Sequence, residues 1–327
     1  MNPFTRNKYM VNTLKILILI MSCAALSCSK ENSDVFIAPA NAFDTAWVTN
    51  PDQYLKADFR NLLDTMASVP LEKITLDLQN SQSLVLGYNI VVNIPGGSFL
   101  SQSGADATGS ATTRISYLST RGDLVRNRVS VCYNDHPLYT VGAFQISFSQ
   151  QGKELSLKPG KQLEVFINDP NPQQGLTLFT RQAGTMMNNW IPASYGSVYV
   201  STNPAQKGYY FSMRQLQWLM PGQMLDSAKT TTITAYLPNI FTNTNTKLYL
   251  VLKDRKGIIE LKNDVTRKFF FANKIPLNIM ASIISISSVN NAYYVGTVNA
   301  VINDRMDVKI EPTRMSLIEM MDFINKL

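Results

Sequence analysis

The chain offers one pairing of a nucleophile with a base, Cys132 and His136, which lie four positions apart. A reactive thiol needs its base within hydrogen-bond reach, and His136 is the sole histidine of the sequence. Cys132 stands between Val131 and Tyr133, the pattern of a strand, so we interpret it as a small buried hydrophobe. A Ser-His-Asp triad would need the same histidine, and no Gly-x-Ser-x-Gly turn leads into a helical pattern. The sequence therefore predicts no catalytic residues and no enzyme.

Metal chemistry has few candidate ligands. One histidine and one cysteine outside the N-terminal region do not supply the three or four ligands of a zinc site, so we predict no metal and no cofactor. Calcium prefers oxygen ligands, and Asn168, Asp169 and Asn171 carry them. A calcium-binding loop at these residues therefore stays an alternative. A glycosidase needs two carboxylates roughly 5–10 Å apart, a separation that a sequence does not reveal. A β-sandwich hydrolase is thus the least favoured of the alternatives.

Aromatic side chains are concentrated in residues 171–225. Trp190, Tyr195 and Tyr199 form a possible ligand platform there, because tyrosine and tryptophan dominate binding hot spots. Aromatic residues later in this segment alternate as in a strand, which favours structural packing over ligand binding. A carbohydrate-binding role in glycan uptake remains the alternative function.

The N-terminus has the pattern of a secretory leader. Arg6, Lys8 and Lys15 precede the apolar run 16–21, which is too short for a comfortable membrane span. These three cations belong to the leader, so the mature chain carries a net charge of +4 rather than +7. A mild excess of positive charge without a basic cluster predicts no nucleic-acid binding. An uncleaved anchor helix is the minority interpretation.

The residues Leu26-Ser27-Cys28 resemble a lipobox, and the following Ser29-Lys30-Glu31 resembles lipoproteins of Bacteroidota. The resemblance implies a diacylglyceryl group on Cys28, cleavage before it, and acylation (as by palmitate) of the new amino group. Several acyl chains on one residue give stable anchoring. Cys23 lies in a rival lipobox, but the polar segment that begins after Cys28 favours the latter. We therefore expect an outer-membrane protein anchored by lipid, with the periplasmic or the surface face left open.

Hydrophobic periodicity divides the rest of the chain into strands between two helices. Residues 51–66 have helical spacing and begin at Asn50-Pro51-Asp52. At the other end, Ser316 and Glu319 have the spacing of a capping box before an amphipathic helix. We expect both helices to dock on a sandwich, with partner binding as the minority role for the second. Arg121-Gly122-Asp123 is expected in a loop.

The first strand region resembles a ZU5-like β-sandwich. The resemblance rests on Ile94-Pro95-Gly96-Gly97-Ser98-Phe99, Thr108-Gly109, Leu124-Val125 and the run from Gly142 to Leu155, and covers about a third of the chain. It implies an interaction role without catalysis and identifies no ligand residues. Ser103 to Ala107 departs from the tighter turn that this family has. Asn168 to Pro172, rich in turn formers, is predicted to end this domain.

The last strand region predicts a second sandwich. About seven short strands and hairpin turns such as Asp254-Arg255-Lys256-Gly257 and Asn290-Asn291 resemble an immunoglobulin-like or carboxypeptidase-regulatory-like sandwich.

Taken together, the sequence predicts an all-β chain with two tandem sandwiches. Its function would be that of a membrane-anchored, non-catalytic binding or scaffolding module with a protein or glycan partner. The predicted segments are a signal peptide (1–27), a tether and helix (28–70), the ZU5-like sandwich (71–170), an aromatic connecting segment (171–225), the immunoglobulin-like sandwich (226–312) and a C-terminal helix (313–327).

Overall fold

A computed structural model describes residues 45–67, 71–87, 90–181, 190–225 and 229–327. These residues are mostly strands in antiparallel sheets with short helices, which confirms the predicted all-β class. The predicted leader, lipobox and tether up to residue 44 lie outside the described residues.

Two sheets make the first sandwich. Its strands in chain order are β1 (Leu71–Asp77), β2 (Gln82–Leu86), β3 (Ile90–Ile94), β4 (Phe99–Leu100), β5 (Ser110–Leu118), β6 (Cys132–Tyr133), β7 (His136–Thr140), β8 (Ala143–Gln150), β9 (Lys153–Glu154), β10 (Ser156–Leu157), β11 (Leu163–Asn168), β12 (Thr177–Thr180), β13 (Ile191–Ser197), β14 (Tyr199–Ser201), β15 (Gly208–Met213) and β16 (Leu219–Met224). Sheet I runs β1-β5-β8-β16-β12-β13, with β7 beside β16, β6 beside β7 and β9 beside β8. Sheet II runs β14-β15-β11-β3-β2, and β4 pairs with β10.

Alternating side chains of the two sheets fill the first core. In β11, Leu163, Val165 and Ile167 face inward, as the period of two requires. The Phe99 and Phe148 rings meet there with centroids 4.4 Å apart. The turn between β8 and β9 uses Gln151-Gly152, the predicted dipeptide, and both residues have positive φ.

Residues 171–225, predicted as a connection, supply strands β12 to β16 to both sheets of the first sandwich. Strand β15 pairs with β11 along its whole length, from Leu163 opposite Met213 to Asn168 opposite Gly208. The turn formers at 168–172 end strand β11 but do not end the domain. Turn chemistry is local, whereas a domain boundary depends on which distant strands pair.

The second sandwich also has two sheets. Its strands are β17 (Thr230–Tyr236), β18 (Thr246–Leu252), β19 (Ile258–Glu260), β20 (Lys262–Asp264), β21 (Phe269–Pro276), β22 (Met280–Val289), β23 (Ala292–Val301), β24 (Met306–Lys309) and β25 (Thr313–Met315). Sheet III runs β20-β21-β17-β24, and sheet IV runs β19-β18-β22-β23-β25. Asn290-Asn291 forms the predicted turn between β22 and β23, with both residues at positive φ.

The helices of the described residues are α1 (Ala57–Met66), α2 (Arg121–Arg126) and α3 (Leu317–Asn325), and Pro51–Gln53 forms a 3-10 turn. The predicted capping box of α3 is present, since Ser316 and Glu319 exchange side-chain-to-backbone hydrogen bonds. Arg121-Gly122-Asp123, expected in a loop, opens α2, where Thr120 and Asp123 form a second capping box. The strand pattern that leads up to Thr120 obscured this helix start in the sequence.

A third apolar cluster, the junction core, lies between the two sandwiches and holds them in one compact unit, residues 45–327. It contains the buried faces of all three helices, for example Phe59, Val125 and Ile324. The central strands of sheet IV, β18 and β22, are therefore buried on both faces. Strand β18 shows this directly, because Leu248 and Leu250 face the second core while Tyr249 and Val251 face the junction core.

Candidate functional site

The structure does not bring Cys132 and His136 together as a dyad. Cys132 lies opposite Pro137 in the β6–β7 hairpin, and His136 lies opposite Tyr133. Neighbouring positions of a strand face opposite sides, so the two side chains point apart. Cys132 is buried, and burial raises the pKa of its thiol, while the Ser130 hydroxyl 3.7 Å away acts in the other direction. His136 instead lines an open groove of about 510 Å³ beside Tyr133.

The predicted aromatic platform is not assembled as one surface. Trp190 is 1% exposed in the junction core, and its indole N–H donates to the Ser130 carbonyl at 3.0 Å. Tyr195 is half-buried on β13, where its hydroxyl accepts a 3.3 Å hydrogen bond from Gln217. Only Tyr199, which is 68% exposed, presents its ring to solvent. The ring of Trp190 is thus unavailable for stacking on a ligand.

Tyr199 belongs to a different set of side chains, on the outer face of sheet II. The register of this sheet places one apolar side chain of each strand in a single line across it. We call this line the sheet II row: Tyr199 (β14), Tyr210 (β15), Phe166 (β11), Val91 (β3) and Val85 (β2). Strands lie about 4.8 Å apart, so the row is about 19 Å long.

The ends of the sheet II row are its most exposed members, with Val85 at 75%. The centre of the row protrudes less than its ends. The ring centroids of Phe166 and Tyr210 lie 4.4 Å apart, and the Phe166 ring rests against the backbone of Gly208. A Cβ at Gly208 would clash first with the Ile167 carbonyl oxygen and would also come within 2.9 Å of this ring, so the position requires glycine. Phe166 is 6% exposed and supports the half-buried ring of Tyr210.

Polar side chains border the sheet II row on both sides. On one side of the row, two positions away on each strand, the register aligns Ser83, Asn93, Glu164 and Ser212. The Ser83 hydroxyl donates to Asn93 Oδ1 at 2.6 Å. The line on the opposite side consists of Ser201, Gly208 and Asn168. The outer face of sheet II therefore carries an apolar row between two polar rows.

A second candidate is a polar cleft of about 290 Å³ where the two sandwiches meet. The first sandwich contributes Tyr139, Asp169 and Tyr209, and the β18–β19 turn contributes Asp254, Arg255 and Lys256. Asp169 is part of the loop considered for calcium, and its Oδ1 accepts the backbone N–H of Asn171 at 2.8 Å. Among the residues from 45 onward that the structure describes, no group of three or more histidine, cysteine or acidic side chains is placed to hold a metal.

The charged groups of the cleft mainly join the sandwiches. Lys256 Nζ donates to the Val141 carbonyl at 3.0 Å, and burial lowers the pKa of this ammonium. The Arg255 guanidinium lies 5.1 Å from the centre of the Tyr139 ring. Burial, the first of several causes, raises the pKa of Tyr209 to about 12, and its hydroxyl accepts the backbone N–H of Gln173 at 2.8 Å. The polar groups that line this cleft are therefore mostly engaged in contacts within the protein.

Comparisons with family models, with curated proteins and with solved structures return no match to this chain. Helices long and apolar enough to cross a membrane do not occur among the described residues.

Proposed function

We propose that this chain is an envelope lipoprotein anchored through Cys28, and that its folded part is a non-catalytic binding or scaffolding module. The anchor is supported by the basic and apolar leader and by the lipobox resemblance of Leu26-Ser27-Cys28. The acyl chains would hold the protein at the outer membrane, on its periplasmic or its surface side.

The observation that carries the binding role is the sheet II row. An apolar line on a sheet face in contact with water is a feature of interaction surfaces, because exposed patches of this kind are otherwise kept small. The row lies on a rigid element, since the inner face of sheet II belongs to the first core. A preorganised surface loses little conformational entropy on binding.

The anchor is tested with Cys28→Ser. We expect this variant to lose incorporation of labelled palmitate and to move from the membrane fraction to the soluble fraction. Cys23→Ser is the matched control and should stay acylated and membrane-bound. Palmitate incorporation that survives Cys28→Ser and is lost in Cys23→Ser would place the anchor at the other cysteine.

The binding surface is tested with a photo-crosslinking amino acid at position 85 in intact cells. Position 318 on α3 is the matched control, because Val85 and Ile318 are each 75% exposed. We expect a discrete adduct from position 85 and none from position 318. Equal labelling at the two positions would contradict a binding role for this face. Protease shaving of the same cells would show on which side of the membrane the module lies.

A further inference from the structure

The chemistry of the sheet II row restricts what it can bind. One end is aromatic, with Tyr199, Tyr210 and Phe166 side by side, and the other end is aliphatic, with Val91 and Val85. Aromatic rings of this kind offer a flat apolar face and a hydroxyl at the rim. The partner must therefore present apolar faces in a line while keeping polar groups at its sides.

The charged side chains on this face restrict the class of binding partner further. Among the described residues of the sheet II row and its two polar borders, Glu164 is the single charged side chain. The nearest cation on this face, Arg214, lies one line further out and donates from Nε to Gln162 Oε1 at 3.4 Å. The row and its two borders themselves carry no lysine or arginine, so they give no complementary charge to a phosphate-rich or acidic partner. Neutral hydroxyl and amide groups, as on Ser83, Asn93 and Ser212, match neutral hydroxyl groups instead.

From these observations we propose that the outer face of sheet II binds a neutral oligosaccharide that runs across the strands. Sugar rings have apolar C–H faces, which would lie on Tyr199 and Tyr210, and equatorial hydroxyl groups, which would reach the polar borders. The inference rests on the proposed binding role and names the class of ligand for the same surface.

The shape of the face points to a polymer rather than to a single sugar. The row ends at the edge strands β2 and β14, so it is open at both ends. Its length of about 19 Å accommodates several sugar rings in a line. The two terminal side chains, Val85 and Tyr199, are the most exposed of the five, which suits a polymer chain longer than the row.

The test uses the folded protein without its leader and a panel of neutral probes: β-glucan, mannan, xylan and chitin oligosaccharides, with polygalacturonate as the anionic comparison. Binding is measured by affinity electrophoresis and by calorimetry. We expect at least one neutral probe to bind and Tyr199→Ser to weaken it by about tenfold, as truncation of a binding aromatic does. Tyr54→Ser is the matched control, since Tyr54 is 62% exposed far from this sheet, and should bind like the wild type.

Three results would overturn the proposal: no neutral probe binds, a probe binds equally well to Tyr199→Ser, or the wild type is a dimer that Val85→Lys dissociates. The last result would assign the face to a second copy of the chain. If the crosslink from position 85 persists in cells while the sugar panel fails, the binding role stands and the ligand class is wrong.

Discussion

Tyr249 places a hydroxyl group in the junction core, where it is fully buried and has no hydrogen-bond partner among the described residues. An unpaired buried hydroxyl costs roughly 1–3 kcal/mol of desolvation. The ring itself fills space between the sandwiches, so the stabilising contribution of Tyr249 comes from packing and not from its polar group.

We expect Tyr249→Phe to leave the free energy of unfolding unchanged or to raise it by up to about 1 kcal/mol. Tyr117→Phe is the contrasting variant, because Tyr117 donates to the Val141 carbonyl at 3.1 Å, and it should lose about 1 kcal/mol. Urea denaturation measures both. A loss in Tyr249→Phe as large as that in Tyr117→Phe would show that the Tyr249 hydroxyl is paired.

Tyr209 couples stability to alkaline pH. Burial raises the pKa of its phenol from the ordinary value of 10.0 to about 12, so the folded state holds this proton more tightly than the unfolded chain does. The free energy of unfolding should therefore fall as the pH rises from about 10 to about 12. Below pH 10 the stabilisation that comes from the protonated Tyr209 should be fully present. Urea titrations across this range measure the slope, which Tyr209→Phe is expected to make shallower. An unchanged slope in that variant would contradict the assignment.

Among the elements, helix α3 is part of the junction core. Met320 and Ile324 are completely buried, and α3 approaches α2 so closely that a Cβ at Gly122 would clash with the Ile324 carbonyl oxygen. Arg121 adds a hydrogen bond from Nη1 to the carbonyl of Leu327 at 3.4 Å. The docking of this helix, predicted from its apolar spacing, is confirmed.

We expect Ile324→Ala to destabilise the protein by about 3 kcal/mol, since it leaves a cavity in a packed core. Ile318→Ala is the control on the same helix, and its exposed side chain should make the change smaller than about 0.5 kcal/mol. Chemical denaturation of the two variants provides the comparison. Equal effects would mean that α3 does not pack as described.

The elements also show which features the sequence could predict. The cap at Ser316 and Glu319 and the turn at Asn290-Asn291 were predictable because a few neighbouring residues determine them. The sheet II row was not, although Tyr199 was recognised as a candidate. Tyr199 and Val85 share a line only because four strand pairs have the right register, and a shift of one residue in any pair would break it. The burial of Trp190 likewise depends on the distant backbone of Ser130.

On the scale of the whole molecule, the junction core joins two sandwiches that the sequence predicted as separate tandem domains. Polar contacts add to it, because Lys262 of the second sandwich forms an ion pair with Asp135 of the first at 2.7 Å. Within the second sandwich and the segment before α1, Lys247 forms ion pairs with Glu260 at 2.5 Å and with Asp52 at 2.8 Å. Burial lowers the pKa of this ammonium, but the two carboxylates outweigh burial and the pKa is raised.

We therefore expect residues 45–327 to unfold in one calorimetric transition, with equal calorimetric and van't Hoff enthalpies. Trp190→Ala should lower the midpoint of that transition by roughly 6 °C or more, since it removes a large side chain shared by both sandwiches. Scanning calorimetry measures both quantities. Two resolved peaks in the wild type would show that the sandwiches are independent.

The entry of the chain into the folded body has a mechanical consequence. Although β1 follows soon after in sequence, residues 45–66 are fastened to the second sandwich. Asn243 exchanges two hydrogen bonds with the backbone of Val48, and Trp47 packs on Phe270 with ring centroids 5.0 Å apart. A force applied along the chain from the N-terminal side would load these contacts first. The sheet II row lies on the other sandwich. The contacts of Trp47 and Val48 would therefore bear the force before it reached the surface that we propose binds the glycan.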